Sequence, residues 1–322
     1  MKKNLSLIIL ILSAVIMLSS CGNLNAQAVS DSGKIQIVTT IFPEYDWVMK
    51  ILGDNPAGAE VTMLLDNGVD MHSYQPTADD ILKISTCDLF IYVGGESDEW
   101  VNDALKEAVN KDMIVIDLLD VMGDSLKEEE VVEGMQAEEE EEGHEYDEHV
   151  WLSLCNASTL VQSISDGIQS ADPENAEAYK KNTEAYLEKL KALDEDYTSA
   201  VSAASVDTLV FGDRFPFRYL VDDYGLSYYA AFAGCSAETE ASFETITFLA
   251  DKVDGLGLKA VMTIEGDDHR IAETIVENTQ TKDQNILTMN SMQSITSKDV
   301  ENGANYLSIM EDNLSVLKEA LK

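Results

Sequence analysis

Short apolar segments alternate with amphipathic segments over the first part of the chain. The apolar segments lie at 35–40, 61–65, 88–94 and 113–119, and β-branched residues are frequent in them. The segments between them, such as TADDILKIS and DEWVNDALKEAVN, carry apolar residues at helical spacing and begin with a capping or acidic residue. Nearly continuous hydrophobicity is typical of parallel strands covered on both faces. The pattern predicts repeated βα units, hence a mostly parallel sheet in an N-terminal domain at 34–170.

The alternation resumes near residue 205. DTLVFG, LSYYAAF, KAVMTIE and NILTM are predicted strands, while SFETITFLADKV and RIAETIVEN are predicted helices. The chain closes on the predicted helix NYLSIMEDNLSVLKEALK. A second α/β domain is therefore predicted at 205–322.

A long helix is predicted at 171–204, between the two alternating regions. The segment has no internal Gly or Pro after Pro173, and at about 1.5 Å per residue it would run roughly 45 Å. A rigid connector between domains is the favoured interpretation, and a surface helix of a single domain is the alternative. The predicted fold class is α/β, with two mostly parallel sheets joined by this helix.

The first twenty residues resemble a bacterial lipoprotein signal. A basic start at Lys2 and Lys3 precedes an apolar stretch at 5–18, and Leu-Ser-Ser leads into Cys21. The resemblance implies a signal peptide at 1–20, lipidation of Cys21 and a polar tether at 21–33. It also implies anchoring to the outer face of the bacterial cell membrane through lipid alone. An ordinary secretory signal with a chance cysteine is the alternative.

The chain is strongly acidic. Its 60 acidic and 21 basic residues give a formal net charge of -39. Repulsion from phosphate excludes nucleic acid and anionic lipid as partners of the folded body, whereas cations are attracted. Of the remaining cysteines, Cys87 lies in an apolar run and is predicted to be buried, while Cys155 and Cys235 either form a disulfide or stay free.

A mobile acidic loop is predicted at 124–148, because its acidic blocks and glycines leave little to form a core. Glu142, His144 and Glu145 are candidate metal-scavenging residues within it. Simple solvated surface is the alternative interpretation. A histidine among the carboxylates would favour a softer metal such as zinc.

Two of the four histidines lie in phrases that carry further polar and aromatic residues. His72 occurs in VDMHSYQPTADD and His149 in EYDEHVWLSLCNA. A neutral imidazole is a good ligand for zinc or manganese, and loops at strand ends could bring the two rings together. Affinity should fall below about pH 6 if both rings are ligands.

These phrases, together with the predicted leader, long helix and second α/β domain, resemble the zinc- and manganese-binding lipoproteins of bacterial ABC importers. The resemblance runs from IVTTIFPEYDWV to the last helix. Residues 72–77 match the first histidine phrase of the family, and His149, Trp151 and Ser153 match the second, with Glu148 where proline is usual. It implies a monomer with a metal site in the interdomain cleft, and an ABC permease and its ATPase as partners.

The second half of that site departs from the family pattern. The resemblance puts Arg214 at the third ligand position, and arginine remains protonated and cannot ligate. The fourth position falls on Asn290. Asp213, Glu240 and Glu265 are candidate substitutes, each of which could instead be a surface or capping carboxylate.

Zinc is the predicted transported ligand and manganese the alternative, since the acidic loop resembles zinc receptors whereas two histidines with two carboxylates resemble manganese receptors. Two other function classes stay open. A metallohydrolase could use the same ligands, although HExxH, GxSxG and P-loop motifs are absent from the sequence. A receptor for an anionic solute could use Arg214 and bind no metal.

Overall fold

Two four-stranded parallel sheets organise the chain in the computed structural model, which describes residues 34–136, 146–236, 240–266 and 268–322. The strand orders are β2-β1-β3-β4 and β6-β5-β7-β8, so the two halves share one topology. This confirms the predicted α/β fold class. The strands are β1 Gln36–Thr39, β2 Glu60–Met63, β3 Leu89–Tyr92, β4 Ile114–Asp117, β5 Thr208–Phe215, β6 Ser227–Ala233, β7 Ala260–Ile264 and β8 Asn285–Met289.

Helices cover both sheets and bury their apolar faces against them. Residues 34–322 pack as one unit, and the domain boundaries given above stay predictions. None of the helices in the described ranges has the length and apolar character that crossing a membrane requires. The α-helices are α1 Phe42–Leu52, α2 Ala78–Thr86, α3 Val101–Lys106, α4 Leu118–Met122, α5 Leu154–Ala171, α6 Ala176–Ser202, α7 Arg218–Tyr224, α8 Phe243–Leu256, α9 Arg270–Asn278, α10 Ser297–Glu301 and α11 Tyr306–Ala320.

The long helix α6 contains 27 residues and contacts both halves. It packs on α1 and α5 of the first half and on the C-terminal helix α11. The buried hydroxyl of Tyr197 donates to the carbonyl oxygen of Met310 at 2.7 Å. In α11, the hydroxyl of Tyr306 donates to the carbonyl oxygen of Trp151 at 2.6 Å. These buried contacts tie the two halves together and restrict large hinge motions.

The first part of the acidic loop forms a strap, defined here as residues 127–136, that runs along the second half. The backbone N–H of Gln136 donates to the carbonyl oxygen of Ala231 at 2.9 Å. Arg218 pairs with Glu130 at 3.0 Å, and Lys252 pairs with Glu133 at 3.2 Å. These bonds join positions far apart in sequence, which is why composition alone predicts only a loop. Glu142, His144 and Glu145, like the predicted leader, Cys21 and tether, lie outside the described residues.

Candidate metal centre

The loops at the carboxyl ends of both sheets form the centre. His72 follows β2, Glu148 and His149 follow β4, Arg214 lies at the end of β5, and Cys235 follows β6. In open parallel sheets, ligands bind outside the carboxyl ends of strands, where the strand order reverses. The shared topology therefore brings chemically active side chains from both halves to one place.

His72 lies in the short 3-10 helix Met71–Ser73. The carboxylate of Asp70 caps this turn by accepting from the backbone N–H of His72 at 3.1 Å. The ring Nδ1 lies 2.7 Å from Ser97 Oγ and 3.5 Å from Glu148 Oε2. Glu148 is itself fixed, since Oε1 accepts from the backbone N–H of Ser97 at 2.9 Å. The turn and these oxygens orient the ring so that Nε2 points away from them.

His149 is fully buried at the start of the 3-10 helix Val150–Leu152. Its Nδ1 lies 3.0 Å from Asp147 Oδ1, and the same oxygen accepts from the backbone N–H of His149 at 2.8 Å. The ring packs against Trp151, with centroids 5.2 Å apart. Gly234 lies on the other side, where an added Cβ would come within 3.2 Å of Nδ1. A carboxylate that accepts from Nδ1 leaves Nε2 free to bind a metal.

The two Nε2 atoms face each other at 3.3 Å. The Asp147 carboxylate can only accept, so the proton of the neutral His149 ring lies on Nδ1, whereas the Ser97 hydroxyl can donate to or accept from Nδ1 of His72. A metal bound by both Nε2 atoms needs the proton of each ring on Nδ1, where Asp147 and Ser97 can accept it. Two zinc–nitrogen bonds of about 2.0–2.1 Å at the tetrahedral angle place their nitrogens about 3.3–3.4 Å apart. The observed separation matches the nitrogen–nitrogen edge of a tetrahedral zinc site.

The two imidazoles differ in acidity. Burial and, after it, the neighbouring charge of His149 lower the pKa of His72 to about 3. Burial also opposes the charge of His149, but the Asp147 carboxylate beside it raises the pKa of His149 above its usual value. His72 is therefore neutral near pH 7, and zinc competes with a proton mainly at His149.

Cys235 completes a group of three possible metal ligands. Its Sγ and one nitrogen each of His72 and His149 all lie within 4.8 Å of one another, and the three form the one such group found among the described residues. Its backbone N–H donates to Glu129 Oε1 of the strap at 2.9 Å. Sequence reasoning treated Cys235 only as a possible disulfide partner. Cys87, Cys155 and Cys235 are all free thiols in the structure, with Cys87 buried as predicted.

Arg214 occupies the place of the third family ligand but points to a carboxylate. Its Nη2 donates to Asp70 Oδ2 at 2.6 Å, and Nη1 donates to the carbonyl oxygen of Ser236 at 3.4 Å. Burial opposes ionisation of Asp70, but the charge and hydrogen bond of Arg214 outweigh it and lower the pKa of Asp70. The guanidinium thus links the two halves through the residue that caps the His72 turn.

The oxygen donors proposed for the second half bond to other neighbours. Asp213 Oδ2 accepts from Thr263 Oγ at 2.5 Å. Glu265 accepts from the backbone N–H and hydroxyl of Ser291 at 2.6 and 2.7 Å. Asn290 Oδ1 accepts from the backbone N–H of Met292 at 2.7 Å. Glu240 is exposed. None of the three acids joins the histidine–cysteine group within the described ranges, and a ligand role for any of the four residues stays a prediction.

The model of a known family matches almost the whole folded body. It is described as zinc-uptake complex component A, periplasmic (ZnuA), and it matches residues 37–320. The chain belongs to this family. Membership in the ZnuA family confirms the resemblance stated above.

Individual ZnuA relatives agree with the family match. The zinc-binding protein AdcA of Streptococcus pyogenes is 32% identical to this chain over 302 residues. The match covers 91% of this chain and 57% of AdcA, so the chain spans little more than half the length of that relative. The high-affinity zinc uptake system protein ZnuA of Bacillus subtilis is 29% identical, over 100% of this chain and 99% of its own length. The solved Zn(II)-bound ZnuA-like domain of Streptococcus pneumoniae AdcA has a TM-score of 0.71 at 31% identity, covering 90% of this chain and 99% of that domain.

Proposed function

We propose that this protein is an extracytoplasmic receptor that captures zinc between its two halves and delivers it to an ABC permease. The 3.3 Å separation of the His72 and His149 Nε2 atoms carries this proposal, because it fits two adjacent bonds of a tetrahedral zinc ion. The ring partners Ser97 and Asp147 hold both nitrogens ready, so binding requires little rearrangement. ZnuA relatives described as zinc-binding proteins support the same metal.

Zinc is favoured over manganese by the donor atoms present. The group contains two imidazole nitrogens and one sulfur, and no carboxylate oxygen. Manganese prefers oxygen donors and higher coordination, whereas zinc accepts nitrogen and sulfur in tetrahedral sites. A solute with an anionic group is disfavoured because the Arg214 guanidinium is already paired with Asp70.

Capture and release then follow from charge and packing. The net charge of -39 attracts a divalent cation, and Glu142, His144 and Glu145 would raise its concentration beside the centre. The buried hydrogen bonds between the halves restrict large hinge motions. Release of zinc to a permease and its ATPase would therefore use small shifts near the strap. The predicted leader supports anchoring to the outer face of the membrane through lipid on Cys21. The receptor would act there as a monomer.

The test is a competitive titration of zinc and manganese. We expect one tight zinc equivalent in the wild type and its loss in His72→Ala/His149→Ala. His269→Ala is the matched control, because His269 Nδ1 lies 3.2 Å from Thr263 Oγ and the residue is outside the ligand group. Deletion of 137–145 should remove weak extra equivalents and keep the tight one. Tighter manganese than zinc would make the protein a manganese receptor, and no tight metal would refute the proposal.

A further inference from the structure

We infer that Cys235 is the third protein ligand of the metal, bound as a thiolate, so that the centre is two histidines and one cysteine with a fourth position for water. This inference rests on the proposed zinc receptor function and names one of its ligands. It departs from the set predicted from sequence, in which an oxygen donor such as Asp213 or Asn290 completes the shell.

The geometry of the three side chains carries the inference. In a tetrahedral site with zinc–sulfur bonds of about 2.3 Å, sulfur lies about 3.6 Å from a nitrogen ligand. The Cys235 Sγ and the two imidazole nitrogens lie within 4.8 Å of one another, so a closing movement of about 1 Å suffices. His149 is fully buried, and its Nε2 faces the His72 Nε2 at 3.3 Å. With both rings neutral and protonated on Nδ1, the two Nε2 lone pairs and the thiol sulfur can bind one cation.

The topology explains why a cysteine follows β6. Strands β5 and β6 are parallel neighbours, with Phe215 in register with Ala233. Arg214, near the end of β5, has the place where the family resemblance puts a ligand, and Cys235 follows the end of β6 two residues after Ala233. Cys235, after the end of β6, can therefore supply the metal ligand that Arg214, near the end of β5, cannot supply.

The loop that carries Cys235 is held at its backbone. Glu129 accepts from the N–H of Cys235 at 2.9 Å, and Arg214 donates to the carbonyl oxygen of Ser236 at 3.4 Å. These bonds fix the main chain, and the Cys235 thiol also lies in hydrogen-bond contact with Glu129. Glu129 belongs to the strap, so the strap positions this ligand.

A thiolate would also set the metal preference. Zinc deprotonates a thiol that it binds, and the proton leaves to solvent. Soft thiolate ligands favour zinc over manganese. Cys235→Ser should therefore weaken zinc binding far more than manganese binding and narrow the ratio of their affinities.

Cobalt(II) substitution tests the inference directly. Bound cobalt in the wild type should show the near-ultraviolet charge-transfer absorption of a cobalt–thiolate bond. Cys235→Ser should lose this band, and Cys155→Ser should keep it, since Cys155 is an exposed free thiol. Zinc affinity should fall at least about a hundredfold in Cys235→Ser, because loss of even an indirect partner of a ligand costs 10–100-fold.

Thiol protection gives a second readout that needs no substitution. Under conditions strong enough to alkylate Cys235 in the zinc-free wild type, zinc should protect it, while Cys155 reacts with or without zinc; mass spectrometry identifies the labelled residue. A cobalt complex without the thiolate band, or equal labelling of Cys235 with and without zinc, would overturn the cysteine ligand. If the wild type still binds zinc through His72 and His149 in that case, the receptor function stands. A wild type that binds neither metal would overturn both.

Discussion

At the scale of single residues, the centre depends on how each imidazole is held. Asp147 accepts from both the backbone and the ring of His149, and Ser97 and Glu148 surround Nδ1 of His72. These partners hold the two rings so that their Nε2 atoms face each other at 3.3 Å. If the rings bind a metal, its affinity therefore depends on oxygens that do not contact the metal.

Asp147→Asn tests this dependence. The amide can occupy the same space, but it lacks the charge that supports the ring of His149 when a cation binds. We expect zinc affinity to fall about 10–100-fold with the fold intact, measured by competition with a chromophoric chelator. Asp112→Asn, at an exposed carboxylate, is the control. Equal affinity in both variants would contradict the role of Asp147.

The sequence singles out His72 and His149 as candidate ligands because each lies in a phrase of several matching residues, and the structure brings their rings together. It does not single out Cys235, since a single cysteine after a strand carries no pattern of its own. Its proximity to His149 depends on how the two halves pack. The bonds of Asp213, Glu265 and Asn290 are also set by tertiary contacts that spacing does not reveal.

At the scale of elements, the end of β6 positions the second half of the centre. Gly234 lies between His149 and the backbone of β5, where an added Cβ would be 2.9 Å from the carbonyl oxygen of Phe215 and 3.1 Å from His149 Cε1. Such contacts are too close without a shift of the strand end or the ring. The absence of a side chain at 234 therefore keeps β6 and the imidazole in place.

Gly234→Ala should weaken zinc binding by moving His149 or Cys235. Gly255→Ala is the matched control, since an added Cβ there meets nothing within 4 Å and the residue lies within α8. The control should keep its zinc affinity and gain up to about 1 kcal/mol in the free energy of unfolding, because alanine favours helix. Isothermal titration and thermal unfolding of both variants measure these effects. Unchanged zinc affinity in Gly234→Ala would show that the strand end does not position the site.

The periodicity of apolar residues predicts the strands and helices, and the observed ends of these elements differ only slightly from the predicted ends. NILTM and RIAETIVEN match β8 and α9, and the long helix was expected from an uninterrupted pattern. The strap was predicted only as part of a loop. Its order comes from pairs such as Arg218 with Glu130 and Lys252 with Glu133, which join distant positions and leave no local pattern.

At the scale of the whole molecule, the acidic character extends to a few carboxyl groups in the largely apolar interior. Asp98 is buried beside β3, where the backbone N–H groups of Val93 and Gly94 donate to it at 3.0 and 3.1 Å. Burial nevertheless raises the pKa of Asp98 to about 7, against the opposing effect of the Gly94 hydrogen bond. The folded state thus binds a proton here more tightly than the unfolded chain does.

The raised pKa of Asp98 makes the stability of the folded state depend on pH. Because the pKa of Asp98 is higher in the folded state, its contribution to stability is full below about pH 4 and is lost as pH rises through about 7. In metal-free protein, Asp98→Asn should remove about 1 kcal/mol of the stability change between pH 6 and pH 8. Urea unfolding at both pH values measures it, with Asp112→Asn as the exposed control. The same pH dependence in wild type and Asp98→Asn would contradict the raised pKa.

The central claim is that one zinc ion lies between the two halves, bound by His72 and His149. Diffraction from crystals of the zinc-loaded protein, measured at wavelengths on either side of the zinc absorption edge, locates the ion directly. We expect one strong anomalous peak about 2.0–2.1 Å from each of the two Nε2 atoms, which already lie 3.3 Å apart. A peak elsewhere, or no peak between these imidazoles in zinc-loaded crystals, would contradict it.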